Sequence, residues 1–131
     1  MSIARPSRLH ERRPARPQSI APLRRAVVAF AADNGASQKR CEDIALAVSE
    51  ALTAIVYAPE KQADAGIVVV DAHVVEGSVQ VVVCDDGAGT LPRDADSPVG
   101  FGLAVIVRLT DGFEIEDAMP GIRLRLDFVL D

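Results

Sequence analysis

Residues 81–89, Val-Val-Val-Cys-Asp-Asp-Gly-Ala-Gly, constrain the fold of this chain more than any other stretch. An apolar β-branched run stops at two carboxylates, Asp85 and Asp86, and two glycines follow at a spacing of two. The apolar part predicts a buried strand, and the acidic part a loop leaving its end. Glycine lets another molecule approach the backbone closely. A carboxylate fixed beside such backbone can accept hydrogen bonds from a base edge or ligate a metal. Asp-Gly is also a strong hairpin signal, and taken by itself the run reads as a turn. Its neighbours along the chain decide the matter.

Upstream, Pro22 suits a first helical turn, with Ser19 as its N-cap. Leu23, Val27, Phe30 and Ala31 then recur at helical spacing until Asn34-Gly35 ends the pattern. Ser37 caps a longer helix running to about Tyr57, before Pro59. Its core stripe is Ile44, Val48, Ala51, Leu52 and Ile55, while Leu46, Glu50, Ala54 and Tyr57 share another face. Strands are predicted at Ile67–Val75 and Val79–Cys84, joined around Glu76-Gly77-Ser78. Downstream, Thr90–Val99 is a loose segment with two prolines and two acids. Gly100-Phe101-Gly102 opens a third helix from Leu103 to about Leu109, and Asp111-Gly112 breaks it. Phe113–Glu116 and Arg123–Leu130 form a closing hairpin, whose second strand alternates Leu124, Leu126, Phe128 and Leu130 with Arg123, Arg125, Asp127 and Val129. The expected fold is an α+β two-layer sandwich: a mostly antiparallel mixed sheet with helices covering one face.

The 131 residues suit one domain, and 49% hydrophobic content supplies a core. Aromatics are 4%, so aliphatic residues fill it. No apolar run reaches membrane-spanning length, and no signal-peptide core follows the N-terminal arginines, which points to the cytoplasm. Cys41 and Cys84 read as free thiols without metal-ligand company. Seven of the 14 basic residues fall within residues 1–25, against a single acid there, Glu11. Residues 1–18 are therefore expected as a basic, flexible arm with a possible edge strand near Leu9–Arg13, ahead of one domain over 19–131. The arm has no aromatic residues to stack on bases, and the acidic body repels phosphate, which together argue against a nucleic-acid partner.

Four features line up: Glu50 in Ser49-Glu50-Ala51-Leu52-Thr53, the Asp85 run, the loose acidic segment, and the Gly-x-Gly helix start. Free N–H groups at a helix N-terminus attract phosphate, and glycine permits close contact. A base-reading carboxylate, a lid and a phosphate-binding helix start in one small domain suggest an ATP pocket.

In order and residue type these motifs resemble the GHKL ATPase superfamily, shared by gyrase, histidine kinases and heat-shock chaperones. The small size and the "LAVSEALT" helix are most similar to the bacterial anti-sigma factor serine/threonine kinases. That resemblance covers about residues 15–130. It implies that Asp85 accepts a hydrogen bond from the adenine amino group, that Gly87 and Gly89 form a first glycine box, and that Thr90–Val99 is the ATP lid. It further implies that Gly100, Gly102 and Leu103 form a second box at the phosphates. Glu50 becomes the general base that activates a serine hydroxyl on an anti-anti-sigma partner. The implied cofactors are ATP and Mg²⁺. The implied partners are a sigma factor and an anti-anti-sigma protein, with a homodimer as the assembly.

The chain also departs from the family. Ala54 stands where the family places a Mg²⁺-coordinating Asn, Ala58-Pro59 replaces His-Ala, Pro98-Val99 replaces the lid's Gly-Arg, and Gly121-Ile122 replaces Gly-Thr. Between Gly77 and Val107 the only basic residue is Arg93. Phosphoryl transfer depends on positioning and on neutralising phosphate charge. Two readings therefore stand side by side: a serine kinase, and a degenerate non-catalytic module that sequesters a sigma factor or other regulatory partner.

Overall fold

Ser37 starts the longest helix through its own side chain, whose Oγ accepts the Arg40 N–H at 3.1 Å. The preceding helix stops just before it. Gly35 takes φ +102°, and the N–H groups of Gly35 and Ala36 donate to the carbonyls of Ala32 and Ala31 at 3.1 and 3.0 Å. These paired bonds need a left-handed residue at position 35, which glycine adopts without a Cβ clash.

The computed structural model describes residues 7–57, 66–85, 99–117 and 122–130. Strand β1 (Arg8–Pro14) leads through a 3₁₀ turn at Pro17–Ser19 into helices α1 (Ile20–Asp33) and α2 (Gln38–Val56). Strands β2 (Ile67–Val75) and β3 (Ser78–Asp85), helix α3 (Val99–Leu109), and strands β4 (Gly112–Asp117) and β5 (Ile122–Val129) follow. The five strands form one sheet in the order β1-β2-β3-β5-β4, and each of its strand pairings is antiparallel. The β2–β3 connection is a two-residue turn, with Glu76 at φ 45° and Gly77 at φ 80°. Positive φ at both central residues matches the right-handed twist of the flanking strands.

Alternate residues of the central strands bury one face of the sheet: Val68, Val70 and Ala72 on β2, Val79, Val81 and Val83 on β3, and Leu124, Leu126 and Phe128 on β5. They share one core cluster with Leu23, Val27, Phe30 and Ala31 of α1, with the α2 stripe, and with Ile106 of α3. All three helices therefore cover the same face, as expected for the two-layer α+β fold. The other face carries charge. Arg125 reaches Glu114 at 2.6 Å and Glu116 at 3.4 Å, and Arg123 lies 3.7 Å from Glu116. Among the described residues no helix is long and apolar enough to cross a membrane.

Three local features differ from the sequence expectation. Ser19 precedes α1, but its side chain makes no capping bond. It sits in helical geometry as the last residue of the 3₁₀ turn and is buried, so its hydroxyl is not aimed at the first N–H groups. Helix α3 begins at Val99, so Gly100 and Gly102 lie within its first turn rather than ahead of it. Ala54, placed by spacing on a flanking surface, is 7% exposed and belongs to the core.

Gly112 opens β4 against Asp127. A Cβ there would stand 2.7 Å from Asp127 Oδ2. The Asp127 carboxylate is also held by the Gln80 amide at 3.0 Å. Gly112→Ala is expected to break that bond and to cost about 1 kcal/mol, read as a lower urea midpoint at unchanged slope.

Candidate functional site

Helix α2 presents Glu50 to the first turn of α3. The two helices pack against each other, and α3 ends near the start of α2, where the Leu109 carbonyl accepts from Arg40. At the other end of α3, Gly102 is buried, and a Cβ added to it would lie 3.0 Å from Glu50 Oε2. The carboxylate occupies the space that a side chain at position 102 would take. Glycine at 102 is thus a requirement of close approach, and it places a half-buried acid directly against a helix N-terminus. The first turn of α3 carries no acidic residue and its last turn carries Arg108. Free N–H groups and the helix dipole at that end attract anions.

Ser49, the neighbour of Glu50, connects α2 to α1. Its hydroxyl accepts from Arg24 Nη1 at 3.4 Å, while its carbonyl accepts from Thr53 Oγ1 at 2.7 Å. Sequence reasoning assigned Arg24 no role at the site. Its helical spacing identifies it as a residue beside the Leu23–Val27 stripe, but nothing in the local pattern states that it crosses to α2.

Asp85 ends β3, the middle strand of the sheet, in register with Val68. It is 8% exposed, and among the described residues Ser19 is the only other buried polar or charged residue. Carboxylates are almost never buried without a partner or a purpose, and Asp85 is engaged within the structure. Next to it, burial pushes the Cys84 thiol up from its ordinary value. Arg123 opposes that shift, and Asp71 and Asp85 add to it. Cys41 and Cys84 are both free thiols.

The structure thus brings Glu50 and Gly102 into contact, keeps Gly100 and Leu103 in the opening turns of α3, and puts Asp85 at the end of a central strand. Asp86, Gly87, Gly89 and residues 90–98, with Arg93, lie outside the described residues. The donors on α2 do not fit a resident Mg²⁺. Ala54, one turn after Glu50, offers only a methyl group, and that group is in the core. Among the described residues no three His, Cys, Asp or Glu side chains converge. Asp85 offers a buried acceptor at the strand end, and the first turn of α3 offers helix N-terminal N–H groups, donor and acceptor chemistry of the kind an adenine nucleotide uses.

Residues 13–128 match the model of the histidine kinase-like ATPase domain. A solved structure of the RsbU and RsbW domains of Rv1364c from Mycobacterium tuberculosis superposes with a TM-score of 0.76 at 24% identity. The alignment covers 95% of this chain and 33% of that one, so the chain spans about a third of the length of the protein it resembles. That likeness establishes the fold. No curated protein matches the chain.

Proposed function

The chain belongs to the histidine kinase-like ATPase domain family, and from that premise we propose that it is an ATP-binding anti-sigma regulatory protein of the serine kinase type, acting on an anti-anti-sigma partner. The observation that carries this reading is the packing of the Glu50 carboxylate against Gly102 in the first turn of α3.

Phosphates held by the α3 N-terminus would place the terminal phosphoryl group beside that carboxylate. Glu50 would then accept the proton of an incoming serine hydroxyl as its oxygen attacks the terminal phosphorus and the bond from that phosphorus to the ADP leaving group breaks. Asp85 accepts a hydrogen bond from the adenine amino group and sets the other end of the nucleotide. Gly100 lets the phosphates approach the backbone of the first turn of α3.

Incubation with the cognate partner and Mg-ATP tests the role of Glu50. Phosphoserine is expected from the wild type, and Glu50→Gln is expected to lower the rate roughly a hundredfold or more while leaving nucleotide affinity within about threefold. Equal rates for the two proteins would remove Glu50 from the chemistry.

A second reading has its own support in Ala54. With a buried methyl in place of an oxygen donor on α2, the site lacks one means of holding the metal that neutralises phosphate charge. On this reading the domain sequesters a sigma factor or another regulatory partner without transferring phosphate. A stable complex with a sigma-factor fragment, and no phosphoserine under any divalent ion, would favour it over the kinase.

A further inference from the structure

Strand β1 lies at one edge of the sheet. It pairs with β2 along residues 8–14, and no described strand pairs with its other side. An open edge presents a row of backbone N–H and C=O groups, which is a template for another extended chain. Its side chains add charge. Arg8 and Arg12 register with His73 and Val69 on the helix-free face, and Arg13 registers with Val68 on the other. All three are exposed, and so is Arg16 just beyond the strand.

Elsewhere Lys39 and Arg40 pair with Asp43, and Arg123 and Arg125 pair with Glu116, while the helix residues Arg24, Arg25 and Arg108 have no ion pair among the described residues but lie scattered over two helices rather than along one edge. Arg8, Arg12, Arg13 and Arg16 have no ion-pair partner among the described residues, in a chain whose formal net charge is −5. We propose that the β1 edge is a docking site for an extended acidic segment of a partner protein, which joins the sheet as a sixth strand.

Charge complementarity selects this occupant. A second copy's β1 would bring another arginine-rich strand to the same edge, and like charges brought close across a strand pair are destabilising. A nucleic acid offers no backbone hydrogen bonds to a strand edge, and residues 7–18 hold no Phe, Tyr or Trp on which bases could stack. An acidic strand of six to eight residues satisfies both the open backbone and the unpaired guanidinium groups. Pro14, which has no N–H, sets the far limit of the pairing. The inference is independent of the nucleotide site.

The test uses the full chain and a fluorescent octapeptide of alternating Glu and Thr, read by anisotropy. Two N-methylated versions block the alternate amides on one strand edge or on the other. Binding is expected for the parent peptide, with a loss of at least tenfold for one methylated version and little change for the second. The triple variant R8E/R12E/R13E should lose at least tenfold. The milder R8Q/R12Q/R13Q should lose part of that, with thermal midpoints kept because these side chains are exposed. A Lys-Thr peptide should not bind.

Any of the following outcomes would overturn the proposal. One is equal binding of both methylated peptides, which would mean charge without strand addition. Another is an RNA oligonucleotide that binds more tightly than the peptide and loses affinity in the same variants. The last is self-association of the protein through this edge, or no peptide binding at all.

Discussion

Arg40→Ala is expected to lower stability by about 3 kcal/mol and the thermal midpoint by roughly 10 °C. Arg40 sits at the start of α2, with its side chain 16% exposed. Its Nε donates to the Val129 carbonyl at 2.9 Å, and its Nη1 to Asp43 at 3.2 Å and to the Leu109 carbonyl at 3.4 Å. Nη2 donates to Asp111, and the guanidinium lies over the Phe128 ring, 5.7 Å from its centroid. One side chain therefore ties the start of α2 to the end of α3, the approach to β4 and the end of β5. Asp111 also accepts the Val129 N–H at 2.7 Å, so this junction is cross-linked on both sides.

Truncation would take the guanidinium donor from two carbonyls and two carboxylates, leaving Asp43 only Lys39 and Asp111 only the Val129 N–H, and such losses cost more than an exposed surface pair. Arg40→Lys should recover only part of the loss, because an ammonium cannot supply the planar fork. Thermal and urea unfolding by circular dichroism check this. A change below about 0.5 kcal/mol would mean that the junction is held by packing alone.

Asp85→Asn is expected to weaken adenine nucleotide binding roughly ten- to a hundredfold, the range for losing a hydrogen bond to a charged group. The change keeps the size of the side chain and removes the charge of a buried acceptor at the end of β3. Inorganic triphosphate, which has no base, should bind both proteins alike. If ATP and triphosphate lose affinity together, Asp85 acts on the fold rather than on the base. The thermal midpoint of the variant distinguishes that case.

Much of this architecture could be read from residue order. The helical spacing of Leu23, Val27, Phe30 and Ala31 and the α2 stripe from Ile44 to Ile55 both mark residues that are buried. Alternation along residues 123–130 marks the face of β5 that meets the helices, because a period of two admits one buried face. The β2–β3 hairpin follows from Glu76-Gly77, where the turn chemistry is local.

What escaped was long-range. Arg40 binds partners 69, 71 and 89 residues away, and no short pattern signals such a clamp. Arg24 crosses from α1 to Ser49 on α2 for the same reason. Ala54 reads as a flanking residue by spacing, yet it is 7% exposed and part of the core, because the apolar contact around α2 is wider than the stripe its spacing marks. The motif residues Glu50 and Gly102 were legible individually. Their contact was not, because it depends on two residues 52 positions apart in sequence, on different helices, meeting in space.

Asp85 and the Gly102 turn of α3 are proposed to frame a nucleotide site. Calorimetric titration of the wild-type chain with ATP, with and without Mg²⁺, tests that proposal most directly. Saturable one-to-one binding that GTP does not reproduce is expected, since the proposed partner of Asp85 is an amino group that guanine lacks at the same position. Absence of heat and of competition by any adenine nucleotide, with the protein folded, would contradict the proposal.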